Sequence, residues 1–276
     1  MAKNDETIAA GDEAWPLRQA RLFFLALQFF TRLPIPRWVG FREEWLGQTA
    51  RFFPLIGWIV GAISAAVFWG AARVLPLMPA LLLATIAAVM LTGALHEDGF
   101  ADVCDGFGGG MTRERILDIM RDSRIGVYGA LGIVLLLGLR LSCLAALPAA
   151  GIVAALLAAH PLSRALATGL IWRLDYARSE GKAAPIARRM SGAEVLFAAP
   201  CGLLPLAALA WANYLPWQAA IAGAGMALLS AFYLARLFVR RIGGYTGDCL
   251  GAVQQLSEAA FYLGAASCYF CLRPGA

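Results

Sequence analysis

Charge is what this chain most lacks. Only 15% of its 276 residues are charged, against about 25% in a soluble domain, while 60% are hydrophobic and the mean hydropathy is +0.67. Lysine is nearly absent, with Lys3 and Lys182 alone, so the formal charge of +5 is almost all arginine. Such a composition excludes a soluble doubly wound enzyme and a secreted disulfide scaffold, neither of which leaves so much apolar surface without a bilayer to cover it. The six cysteines are scattered and form no disulfide framework; the one C-x-x-C, Cys268 and Cys271, lacks a second ligand pair for zinc. A secretory leader is not expected, because Asp5, Glu6, Asp12 and Glu13 contradict a positive amino-terminal region. An arginine-rich balance suits anionic lipid or phosphorylated substrates and carries no nucleic-acid signature.

Long apolar runs are what is there instead. A spanning helix needs about 20 such residues, and about seven spans fit, near 52–74, 78–95, 127–146, 150–172, 194–212, 217–238 and 252–272. The expected fold is therefore all-α, a polytopic transmembrane helix bundle (52–276) behind an amino-terminal segment (1–51) with an interfacial helix. That helix is placed at Leu17–Leu33, where Arg18, Arg21 and Arg32 alternate with Leu and Phe. Composition carries no signal of oligomeric state.

Charge placement orients the bundle. Seven basic residues precede the first span, four lie within 113–124, five within 173–189, and Arg240 and Arg241 follow the sixth, making 18 of the 23 Lys+Arg on one side. By the positive-inside rule that face is expected to be cytoplasmic, with the site facing inward. Arg140 and Arg164 fall inside spans and are expected to point into the bundle.

The acids are concentrated too. Seven of 18 lie between Glu97 and Asp122. Asp98, Asp102 and Asp105 are spaced i, i+4, i+7 and line one helical face if the second span continues, and Asp118 and Asp122 repeat the i, i+4 device. Facing carboxylate rows repel unless a divalent cation separates them, and oxygen ligands favour Mg²⁺ or Mn²⁺. A solvated acidic loop would explain the count but not the spacing. Mg²⁺ completes its shell from substrate phosphates, which points to transfer at a pyrophosphate. Among the arginines on this face, Arg124 and Arg178 are the chosen phosphate contacts over Arg115, Arg121 and Arg188, and Arg164 is a candidate wall of the cavity. The GGYTGD run, with Gly243, Gly244 and Asp248, offers backbone amides to a phosphate. A cation transporter would place its acids near the bilayer midplane rather than past a span end.

HEDGFADVCDGFGGG (His96–Gly110), RDSRIGVYG (Arg121–Gly129), DYARSEG (Asp175–Gly181) and GGYTGDCLGA (Gly243–Ala252) together resemble the cobalamin synthase family, the adenosylcobinamide-GDP ribazoletransferases. The resemblance extends from LQFFTRLPIP (Leu27–Pro36) through RFFPLIG (Arg51–Gly57) to the last span. It implies a Mg²⁺-dependent membrane enzyme that joins α-ribazole, or its 5′-phosphate, to adenosylcobinamide-GDP and releases GMP. The motif aspartates correspond to Asp98, Asp102 and Asp105, and Asp118 completes the expected metal set. Asp122 is the first candidate base for a free 5′-hydroxyl and His96 the second, with carboxylate orientation as the other role open to His96. The D-x-x-D-G of Asp102–Gly106 followed by Asp118 and Asp122 is also similar to CDP-alcohol phosphotransferases. The Ala-Arg pair of those enzymes is absent, and Asp105 and Asp118 are closer than their spacing. A CDP-alcohol phosphotransferase or prenyltransferase-like enzyme is accordingly the alternative.

Overall fold

The computed structural model describes residues 14–178 and 189–271; Lys3, Lys182, Arg188 and Arg273, and the end of the Asp175–Gly181 motif, lie outside the described residues. Eleven α-helices and no strand occur among the described residues. α1 (Trp15–Phe30) and α2 (Glu43–Thr49) precede α3 (Phe53–Ala71) and α4 (Leu77–Thr92). α5 (Leu95–Gly109) and the short α6 (Arg113–Ile119) carry the acids, and α7 (Val127–Ala145), α8 (Ala149–Arg173), α9 (Gly192–Trp211), α10 (Trp217–Ile242) and α11 (Gly247–Cys271) complete the chain.

The all-α bundle is as expected, and each expected span contains a helix. Among the described residues five helices are long and apolar enough to cross a bilayer, or six if α4 and α5 count as one bent span. The count falls short of seven at two places. α4 has only 16 residues and does not continue into α5, because Gly93 (φ 66°) and Ala94 (φ 60°) are both left-handed and the axis turns by 90°. Glycine reaches this region freely, whereas a Cβ makes it costly at Ala94. α11 is long enough but interrupts its apolar run with Gln254, Gln255 and Glu258. It sits at the centre, packed by α10, α5, α8 and α7, so its polar residues never meet lipid.

α1 does not span. Its inner face buries Leu22, Leu25, Ala26 and Phe30 against the bundle while Trp15 and Leu17 stay exposed. Arg21 is turned inward, donating to the Val39 carbonyl at 2.9 Å beneath Trp38 and Trp45. Outward faces of α7, α9 and α10 expose Leu135, Leu204, Leu229 and Phe232, which a bilayer covers at no cost.

The charged connections meet at one end. Arg113 donates to the carbonyls of Ile242 and Ala177, and Arg241 donates to that of Gly110. Tyr176 and Tyr245 form a parallel bridge, with Ala177 N–H on the Tyr245 carbonyl at 2.8 Å and Tyr245 N–H on that of Asp175 at 3.0 Å. Three connections far apart in sequence are thus tied into one cap.

Candidate functional site

α5 lies across this cap, against the first turns of both α7 and α11. Two glycines permit its closest contact. A Cβ on Gly99 would stand 3.0 Å from the Asp248 backbone, and one on Gly251 would stand 3.1 Å from that of His96, tighter than side chains normally allow. With no Cβ at either position, α5 lays Asp98 and Asp102 beside Asp248.

These residues line a cavity of about 420 Å³, together with His96, Asp122, Arg164, Arg178 and Gln254, and with Phe29, Phe30 and Phe53 as an apolar wall. Its carboxylates are poorly compensated. Arg178 reaches Asp248 at 3.1 Å, yet burial still raises the Asp248 pKa. Burial, then the neighbouring Asp248 and Asp98, push the Asp102 carboxyl up to about 7. His96 stacks on Phe30 with ring centres 5.6 Å apart, and burial followed by the nearby Arg164 holds its pKa well below the usual range, leaving a neutral ring. Among the described residues no three His, Cys, Asp or Glu side chains stand close enough together to enclose an ion. Mg²⁺ needs only one or two carboxylates when phosphate supplies the rest, and the oxygen donors of Asp98, Asp102 and Asp248 fit that demand.

Several expected site residues are placed elsewhere. Asp105 does not face the cavity: one oxygen accepts the Gly126 N–H at 2.7 Å and the other that of Gly129 at 2.8 Å. It is buried and caps the amino-terminal end of α7, so the i, i+4, i+7 row divides after Asp102. Asp118 is exposed on α6, away from the cavity; because α6 ends at Ile119, Asp122 leaves the helix and the second i, i+4 face does not form. Asp122 does line the cavity, but Arg124 holds it through both Nε and Nη2, the latter at 2.6 Å. Those bonds hold its carboxyl down to about 2. Arg124 itself is exposed and not among the lining residues.

Gly243 and Gly244 serve the backbone rather than forming part of the cavity wall. Gly243 (φ 76°) ends α10, and a Cβ on Gly244 would collide with the Asp175 carbonyl that Tyr245 must reach. The strap they allow carries Arg178 to Asp248.

Gln254, Tyr176 and the phenylalanines of the wall were not expected at the site, whereas Arg121, passed over for Arg124, does line it. Beneath it Arg140 points into the bundle as expected, but the polar network it joins there was not foreseen. Glu258, fully buried, receives Arg140 Nη2 at 2.5 Å, Gln254 Nε2 at 2.6 Å and the Tyr262 hydroxyl at 3.1 Å, with His160 Nδ1 at 2.9 Å. Arg140 also donates to Gln255 at 2.9 Å, and Gln255 donates to Glu97 at 2.9 Å, which joins the bundle centre to α5. Polar residues at 254, 255 and 258 inside an apolar segment are the signal that would have found it.

Comparison with known proteins decides the family. The cobalamin-5-phosphate synthase profile matches residues 22–266, nearly the whole chain. This chain belongs to the cobalamin-5-phosphate synthase family. Relatives of the synthase family include an adenosylcobinamide-GDP ribazoletransferase of Leptothrix cholodnii, 48% identical over 90% of this chain and 96% of its own. One of the same name from Ralstonia pickettii is 47% identical over 84% and 90%, and one from Shewanella frigidimarina 44% over 92% and 97%. No solved structure matches.

Proposed function

We propose that this chain joins α-ribazole, or its 5′-phosphate, to adenosylcobinamide-GDP with release of GMP, at the inner face of a bacterial cytoplasmic membrane. The reading rests on the convergence of Asp98, Asp102, Asp248 and Arg178 in one cavity at the charged end of the bundle, in a family whose curated members bear the ribazoletransferase name. Segregation of basic residues supports the inward orientation. Cysteine placed at Met111, which is 85% exposed in the charged cap, should react with an impermeant reagent only after permeabilisation; labelling in intact cells would refute the orientation.

Asp102, with one of its neighbours Asp98 and Asp248, would hold Mg²⁺, which when bound neutralises the charge of the pyrophosphate. The residues then have distinct tasks. Arg178, anchored on Asp248, and Arg124 present guanidinium forks to phosphate oxygens. A ribose hydroxyl of ribazole other than the 5′ one attacks the β-phosphorus, the bond from that phosphorus to the oxygen bridging the α-phosphate breaks, and GMP leaves; a cobalamin 5-phosphate product, as in the family's name, keeps its 5′-oxygen occupied. With α-ribazole or its 5′-phosphate alike, the attacking hydroxyl gives its proton to a carboxylate. Asp122 can take it only when Arg124 lets go, and an arriving phosphate is the competitor that draws Arg124 away. His96, neutral and stacked, orients the wall rather than carrying charge.

Incubation of purified protein with adenosylcobinamide-GDP, α-ribazole and MgCl₂ should release GMP, and omission of either organic substrate should abolish it. Turnover of a CDP-alcohol lipid or a prenyl diphosphate instead would overturn the reading in favour of the alternative.

A further inference from the structure

A second hollow, of about 470 Å³, lies apart from the catalytic cavity and is lined by Arg18, Gln48, Arg51, Arg189, Ser191 and Glu194. Its charges do not cancel. A neutral amide oxygen, Gln48 Oε1, serves both Arg18 Nη2 at 3.1 Å and Arg51 Nη2 at 3.5 Å. The single lining carboxylate among the described residues, Glu194, reaches Arg51 only at 3.9 Å, and its other oxygen accepts the Ser191 N–H and hydroxyl at 2.8 and 3.0 Å. Arg189 pairs with Asp175 at 3.0 Å, but both are largely exposed, where such a pair contributes little.

The location limits what could neutralise these arginines. Arg51 immediately precedes α3, and Arg189 and Ser191 immediately precede α9, so the hollow stands where two spans enter the bilayer. The spans touch just below it, through Phe52 and Phe197 at 5.4 Å and through Trp58 Nε1 on the Cys201 carbonyl at 2.7 Å. Outward from this seam Leu196 is 77% exposed and Phe197 42%. Basic hollow above, exposed apolar seam below: this is the profile of a phospholipid, with a phosphate at headgroup depth and acyl chains along the seam. Exposed Trp15, Trp38 and Phe41 on the same amino-terminal segment fit that depth.

We infer that Arg18, Arg51 and Arg189 bind the phosphate of an acidic phospholipid between α3 and α9. A soluble phosphate would satisfy the arginines but not the exposed apolar seam.

Native mass spectrometry of the whole protein, released from nanodiscs of phosphatidylglycerol mixed with phosphatidylcholine, tests this without reference to turnover. The wild type should retain phosphatidylglycerol preferentially. Arg18→Gln with Arg189→Gln, both at exposed positions, should weaken that retention on the order of tenfold or more, while the double lysine variant keeps most of it. Inorganic phosphate at millimolar concentration should not compete. Equal retention of the two lipids, unchanged retention by the glutamine variant in folded protein, or displacement by phosphate would each overturn the assignment, the last in favour of a free anion.

Discussion

Glu258 and Asp102 are both carboxylates on buried helices of one bundle, yet their surroundings are opposite. Glu258, at the centre, is met by donors from Arg140, His160, Gln254 and Tyr262. Asp102, at the cavity, is met chiefly by other acids, and its carboxyl rises to about 7. A charge that has all its partners holds helices together. One that lacks them is in want of a ligand. Burial alone does not separate the two roles; the sign of the neighbours does.

That contrast can be broken at Glu258 first. Glu258→Gln leaves Arg140 buried with its ion-pair partner gone, a loss of about 3–5 kcal/mol, and denaturation in detergent should show a strongly destabilised protein whatever its metal content. Asp105→Ala is the next largest. It strips the shared carboxylate acceptor of two amides from the start of α7, a loss of about 1–3 kcal/mol, and should lower stability at every Mg²⁺ concentration; a change in Mg²⁺ affinity with unchanged stability would return Asp105 to the ligand set. Asp102→Asn should do the reverse. It relieves repulsion, so stability holds or rises, while Mg²⁺ affinity and turnover fall about 10–100-fold. Retention of full activity at limiting Mg²⁺ would make the acids an ordinary solvated face. The smallest effect is in pH. Because the raised pKa means Asp102 is protonated below about pH 7, a cation must displace that proton, and its apparent affinity should weaken up to about tenfold per unit as pH falls from 7 to 6. Titration of Mn²⁺ binding at several pH values checks the slope, and Asp102→Asn should flatten it.

The helices and the shared charged face are legible in the amino-acid sequence. Apolar runs report the first and arginine segregation the second, because both follow from composition over many residues. The site is legible only in part. Spacing puts Asp98, Asp102 and Asp105 on one helix face, but a helix face is wider than a cavity mouth, and the amides of Gly126 and Gly129 claim Asp105 from 21 and 24 residues away. The pairing of Asp118 with Asp122 fails for a local reason, the end of α6 at Ile119. Asp248 reads as part of a glycine turn, yet it stands with the acids because Gly99 and Gly251 let α5 and α11 touch. Contacts of that kind belong to pairs of distant segments, and no window along one chain contains both.

The turn at Gly93 and Ala94 also bears on how the protein is made. At 16 residues, α4 is about 24 Å long, short of the roughly 30 Å hydrocarbon core. A solitary helix of that length would have to thin the bilayer around it; entry as a hairpin with α3, against which it packs, avoids that cost. The right-angle turn then keeps the acid-rich segment that follows at the surface where it emerged. The same two backbone angles that aim the aspartates at their cavity also spare the insertion machinery from moving seven carboxylates through oil.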